Sequence, residues 1–145
     1  MTTPLVGNPH VVQKEWGNEM WMVNREEYCG KILTLNSYSC GSNHYHKNKT
    51  ESFYVLDGLF SIIFNNEEKP ILLLKGMTLH VPRNTPHKIM NLNPTGRGRL
   101  IETSTMHDDA DSYRLDEESP FYGKLDFSIL EIDIVKETLR LAENL

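Results

Sequence analysis

Gly41-Ser-Asn-His44-Tyr-His46-Lys-Asn-Lys-Thr-Glu51-Ser-Phe-Tyr-Val-Leu-Asp57-Gly58 is the stretch on which the fold of this chain turns. In an extended strand successive side chains alternate faces, so His44 and His46 point one way and Tyr45 the other. Two imidazoles on one face can grip a single metal ion. Glu51 follows the short Lys47–Thr50 loop, from which the next strand can return it to the same point as a third ligand. A later strand would bring His87, making three imidazoles and one carboxylate. That set suits a borderline divalent ion such as Fe, Mn, Co, Ni, Cu or Zn, and it leaves one or two positions for substrate or water.

Outward from this stretch, strand signals are dense between Trp16 and Thr105. Lys31-Ile-Leu-Thr-Leu is rich in β-formers. Ser52-Phe-Tyr-Val-Leu ends at Asp57-Gly58 and is followed by Ser61-Ile-Ile-Phe, which reads as a hairpin on a DG turn. Ile71-Leu-Leu-Leu ends at Lys75-Gly76. Met77-Thr-Leu-His-Val alternates and stops at Pro82. His87-Lys-Ile-Met-Asn-Leu and Arg99-Leu-Ile-Glu-Thr complete the series. Short strands spaced by turn signals, with no helix between them, imply an all-β sandwich or barrel. From Met106 to Ser119 the chain turns acidic and loop-like. The closing LEIDIVKETLRLAENL begins with alternation and then shows helical spacing of Val135, Leu139 and Ala142. It is expected to form an arm ending in a short C-terminal helix.

Composition narrows the function classes. At 145 residues the chain is the size of one domain. A formal net charge of −5 and the lack of a basic run argue against nucleic acid as a partner, because phosphate binding needs a basic surface. The longest apolar runs, such as Ile71 to Leu74, cannot span a bilayer. Cys29 and Cys40 form no C-x-x-C pair and read as reduced thiols. The opening MTTPLVGNPHVVQKEW lacks the apolar core of a secretory signal. These features lead to the expectation of a complete cytoplasmic protein with no membrane association.

The spacing of the histidines resembles the cupin family. Its first motif, G-x5-H-x-H-x3,4-E-x6-G, is matched by His44, His46, Glu51 and Gly58, with Tyr38 at the leading glycine position. Its second, G-x5-P-x-G-x2-H-x3-N, is matched by Gly76, Pro82, His87 and Asn91, with Asn84 in place of glycine. Asn accepts a positive φ better than most residues. The resemblance implies a double-stranded β-helix, or jelly roll, as a single domain over residues 1–145. The barrel would occupy about 14–105, and the tail and C-terminal arm 106–145. It also implies a divalent transition metal (Zn, Mn, Fe, Ni or Co) on His44, His46, Glu51 and His87.

Two flanking segments are similar to the cupin domain of type II mannose-6-phosphate isomerases. Trp16-Gly17, followed by Lys31 at the next strand, resembles the "PWG" opening of that group, with Glu15 where Pro is usual. Leu100-Ile-Glu102 through His107, Asp111, Arg114 and Asp116 resembles its "IEVQ…DDIxRxxDxYGR" stretch, with Phe121-Tyr122-Gly123-Lys124 standing for YGR. The implied activity is isomerisation or epimerisation of a sugar or sugar phosphate. Metal-bound substrate oxygens would stabilise an enediolate while a base shuttles the proton. Glu102 and Arg114 are the candidate catalytic residues. His80 is a weaker candidate base, since it shares a face with Thr78 that can point outward. Lys49, Tyr113 and Lys124 are the candidate substrate-binding residues, with Lys47, His107 and Asp111 also expected near the mouth. A non-catalytic sugar-binding cupin and a metal-dependent dioxygenase are the alternatives. The apolar residues Ile132, Ile134, Val135, Leu139 and Leu141 in the arm imply a homodimer.

Overall fold

Runs of β-branched and aromatic residues, each closed by a turn-forming residue, become strands in the computed structural model, which describes residues 3–65 and 70–115. In chain order these are β1 (His10–Lys14), β2 (Gly17–Asn24), β3 (Cys29–Leu35), β4 (His44–Tyr45), β5 (Glu51–Asp57), β6 (Leu59–Phe64), β7 (Ile71–Leu74), β8 (Thr78–Val81), β9 (His87–Asn91), β10 (Gly98–Ser104) and β11 (Tyr113–Arg114). One 3-10 turn, Asp109–Asp111, precedes β11. The strands form two antiparallel sheets. The first has the order β1-β2-β3-β10-β5-β8 and the second β11-β4-β9-β6-β7. The expected all-β architecture is thus present as two antiparallel sheets, which no hydrogen-bonded ladder closes into one among the described residues. The expected C-terminal helix and arm lie outside the described residues.

The sheets pack through an apolar layer that draws on both. Leu33, Leu35, Phe53, Val55 and Leu100 come from the first sheet, and Phe60, Ile62, Leu73 and Ile89 from the second. Each such burial contributes roughly 1.5–3 kcal/mol. The period-two alternation then creates a second layer. On β3 the side chain two residues before Leu33 is Lys31, and on β5 the one before Phe53 is Glu51. On β9 His87 precedes Ile89, and on β10 Glu102 follows Leu100. All four polar side chains are buried. One end of the interior is therefore apolar and the other charged.

The DG hairpin is not formed. β5 lies in the first sheet and β6 in the second, so Asp57-Gly58 carries the chain across from one sheet to the other. Gly58, at φ 96°, makes that corner, and a Cβ there would come within 3.0 Å of the Gly98 backbone. The glycine positions of the two motifs share this conformation. Gly76 has φ 87°, Asn84 57° and Tyr38 53°. Strand structure also begins before Trp16, at β1, an edge strand with little burial. The tail, read as a loop, forms the 3-10 turn and then β11, which pairs with β4.

Candidate metal centre

His44 and His87 are register partners on β4 and β9, with ring centroids 4.5 Å apart. His46 follows β4, its ring 4.9 Å from that of His44. Glu51 opens β5 and sends Oε1 to within 2.8 Å of His87 Nε2 and 3.5 Å of His46 Nε2. One donor atom from each of the four residues lies within 4.8 Å of all the others.

Each imidazole is held through its other nitrogen. Nδ1 meets the carbonyl oxygen of Ser42 at 3.0 Å for His44, of Asp111 at 2.9 Å for His46, and of Thr85 at 2.9 Å for His87. A carbonyl only accepts, so Nδ1 carries the proton and Nε2 presents a lone pair, the arrangement of metal-binding histidines. His87 Nε2 and Glu51 Oε1 then face each other as two buried acceptors, neither with a hydrogen-bond donor. Orphan buried acceptors cost about 1–3 kcal/mol each. A divalent cation between them removes that cost, and three nitrogens plus one oxygen suit a borderline ion. Burial and the neighbouring His87 hold His44 down to about 3, so it stays neutral as a ligand must. For Glu51, burial opposes the charge, but the Lys49 ammonium 3.1 Å away favours it, and the carboxyl is held well below its usual range.

Behind the ligands lies a charged layer. Lys49 Nζ is 2.8 Å from Glu102 Oε2, 3.1 Å from Glu51 Oε2 and 3.1 Å from His107 Nδ1. Burial, followed by the charge of Glu51, raises the Glu102 pKa above its ordinary value. The two acids hold the Lys49 pKa up despite burial. A cavity of about 400 Å³ opens over this layer, lined by the four candidate ligands together with Trp16, Lys31, Glu102, His107 and Arg114.

The tail segment builds the rim. The Asp111 carboxylate accepts the backbone N–H of Lys47 at 2.9 Å, of Asn48 at 3.1 Å and of Lys49 at 3.0 Å. Its own carbonyl is the anchor of His46. Leu115 N–H donates to the Asn43 carbonyl, and Asn24 exchanges two hydrogen bonds with the His107 backbone. The loop between His46 and Glu51 is therefore shaped by a residue more than sixty positions away.

Residues 36–103 match a family described as the cupin domain. Sequence and fold together support the cupin superfamily. Among solved structures, KdgF from Halomonas sp. superposes with a TM-score of 0.56 at 18% identity, covering 64% of this chain and 81% of that one. The capsular polysaccharide assembling protein CapF from Staphylococcus aureus gives 0.63 at 21% identity, over 77% of this chain and 33% of that one. Oxalate decarboxylase from Bacillus subtilis gives 0.63 at 17%, over 78% and 33%. The chain thus spans about a third of the length of the last two. No curated protein matches it by sequence.

The other expected cupin site residues fall in several places. Glu102 and Lys49 are buried against the ligands. Arg114 lines the cavity from β11 and is exposed. Tyr113 stacks on Tyr45 at 5.2 Å, with Lys47 Nζ 4.3 Å from its ring, and is not part of the cavity wall. Asp111 is not a free mouth carboxylate, since backbone N–H groups occupy it. His80 is exposed on β8 and bonds Ser52 Oγ at 3.0 Å, so it faces away from the ligands. Lys124 and Asp116 lie outside the described residues. Sequence reasoning missed Lys31 as a cavity residue, although the K-x-L-x-L alternation of β3 places it on the face of Leu33 and Leu35. Among the described residues no helix is long and apolar enough to cross a membrane.

Proposed function

We propose that this protein is a metal-dependent cupin that isomerises or epimerises a sugar or sugar phosphate. The observation that carries this reading is the Glu51–Lys49–Glu102 chain. It sets a buried carboxyl group that favours its proton beside the candidate ligands, linked to them by one ammonium. A divalent ion held by His44, His46, Glu51 and His87 would polarise a carbonyl and its neighbouring hydroxyl, acidifying the C–H between them. Glu102 takes and returns that proton at its carboxylate, and Lys49 holds Glu102 in place and stabilises its charged form. Arg114, on the rim, receives an anionic or hydroxyl group of the sugar. Tyr113 and Lys124 stay in the proposal as contacts of a longer substrate.

The cavity wall is rich in Lys, Glu and His, which fits a hydroxylated ligand better than the apolar mouth expected of a dioxygenase. CapF, whose name ties it to polysaccharide assembly, is a neighbour in the same direction. A homodimer and a cytoplasmic location belong to the same proposal, and the buried free thiols Cys29 and Cys40 suit a reducing compartment. The test is an NMR screen of aldoses, ketoses and their phosphates in D2O with metal-loaded protein. Deuterium uptake next to the carbonyl, lost in Glu102→Gln, supports the reading. Binding without exchange in any substrate contradicts it and favours a sugar-binding protein.

A further inference from the structure

Lys31 is only 1% exposed, yet its ammonium makes no hydrogen bond to any described residue. Its nearest acid, Glu19 Oε2, is 3.6 Å away and already accepts the Trp21 indole N–H at 2.9 Å. The Trp21 ring covers another side at 4.3 Å. An ammonium carries three donors, and a buried one without an acceptor is costly. Lys31 sits opposite Glu102 in the β3–β10 register and lines the same cavity as the candidate ligands. Its ammonium, which Glu19 meets only at ion-pair distance, is therefore within the wall of the cavity that a ligand would enter.

We infer that Lys31 forms a carboxylate subsite, so that the ligand is a polyhydroxy acid with its carboxylate on Lys31 and its hydroxyl or carbonyl end at the metal centre. This rests on the ligand cavity proposed above. Of the two buried ammonium groups, Lys49 already donates to Glu51, Glu102 and His107, so Lys31 is the one with donors left for a ligand. A phosphate monoester brings nearly two negative charges and three acceptor oxygens, more than the Lys31 ammonium alone matches. A cavity of about 400 Å³ is in the range of sites for such small ligands.

The experiment is isothermal titration of zinc-loaded protein with glucuronate, glucose and glucose 6-phosphate, for the parent, Lys31→Met and Glu19→Gln. Glucuronate should bind the parent more tightly than glucose or glucose 6-phosphate. Lys31→Met should weaken glucuronate about tenfold to hundredfold, the value of one charge-assisted bond, with glucose and zinc content unchanged. Glu19→Gln removes the competing acid and should strengthen glucuronate. A merely structural Lys31–Glu19 pair would move the two variants in the same direction, and that result overturns the subsite. Equal binding of glucuronate and glucose, tighter binding of glucose 6-phosphate, or no glucuronate binding at millimolar concentration also overturns it. Deuterium exchange is read separately: tight glucuronate binding without exchange in any sugar refutes the isomerase reading and leaves the subsite standing.

Discussion

Replacing Asp111 by alanine should damage the metal centre without touching a ligand side chain. The carboxylate holds three successive backbone N–H groups, those of Lys47, Asn48 and Lys49, at 2.9–3.1 Å. These are three of the four residues between His46 and Glu51. A charge-assisted bond contributes about 1.5–3 kcal/mol, but this loop is on the rim, where water can replace part of the loss. The net cost to the metal-free fold should therefore be about 2–4 kcal/mol rather than the full sum of three such bonds. Metal affinity should fall further, because the freed segment no longer fixes the spacing of His46 and Glu51 and no longer steadies the carbonyl that orients His46. Removing a partner that orients metal ligands typically costs about 10- to 100-fold. Competition against a chromogenic zinc chelator reads the affinity, and melting in EDTA reads the fold. Parent-like affinity in Asp111→Ala would refute the claim that the tail builds the site.

The remaining expectations concern the fold and its response to pH. In EDTA the melting temperature should drop as pH falls below about 6.5. His44, held to about 3 when folded, takes up a proton more readily when unfolded, so its stabilisation is complete above pH 6.5 and drains down to about pH 3. The slope is up to about 1.4 kcal/mol per pH unit, the lowered Glu51 and Asp111 carboxyls add to the loss at the acid end, and a melting temperature constant from about pH 7 to 5 would contradict this. Asn84→Ala should cost about 1 kcal/mol in urea denaturation, because φ is 57° there, while Asn84→Gly should not destabilise. Gly98→Ala should cost about 1–3 kcal/mol, because the new Cβ would lie 2.6 Å from Cζ of the fully buried Phe60; a neutral result would mean the two sheets separate there easily.

Much of this site could be read in the sequence because its constraints are local. His44 and His46 are two apart on a strand, and Glu51 follows within one turn, so alternation alone puts them together. The motif's glycine positions record a backbone conformation, and Tyr38 and Asn84 adopt positive φ there even without glycine. Asp57-Gly58 misled because turn chemistry fixes the bend and says nothing of whether the flanking strands pair with each other or join different sheets. β1 was missed because His10–Lys14 is an exposed edge strand without clear alternation. Asp111 left no readable signal, since its partners Lys47–Lys49 lie 62 to 64 residues away and offer only backbone N–H groups. Lys31 did leave one, as a charged residue in an inward row of leucines.

The central claim is a divalent metal ion on His44, His46, Glu51 and His87. It is tested most directly by elemental analysis of the purified protein beside His44→Ala and His87→Ala, each exposed to the same metal-containing buffer and then desalted. The parent should retain about one divalent transition-metal ion per chain, and each variant should lose most of it, since each histidine supplies one of four protein donors. Equal metal content in all three proteins, or none in the parent after loading, would contradict the account.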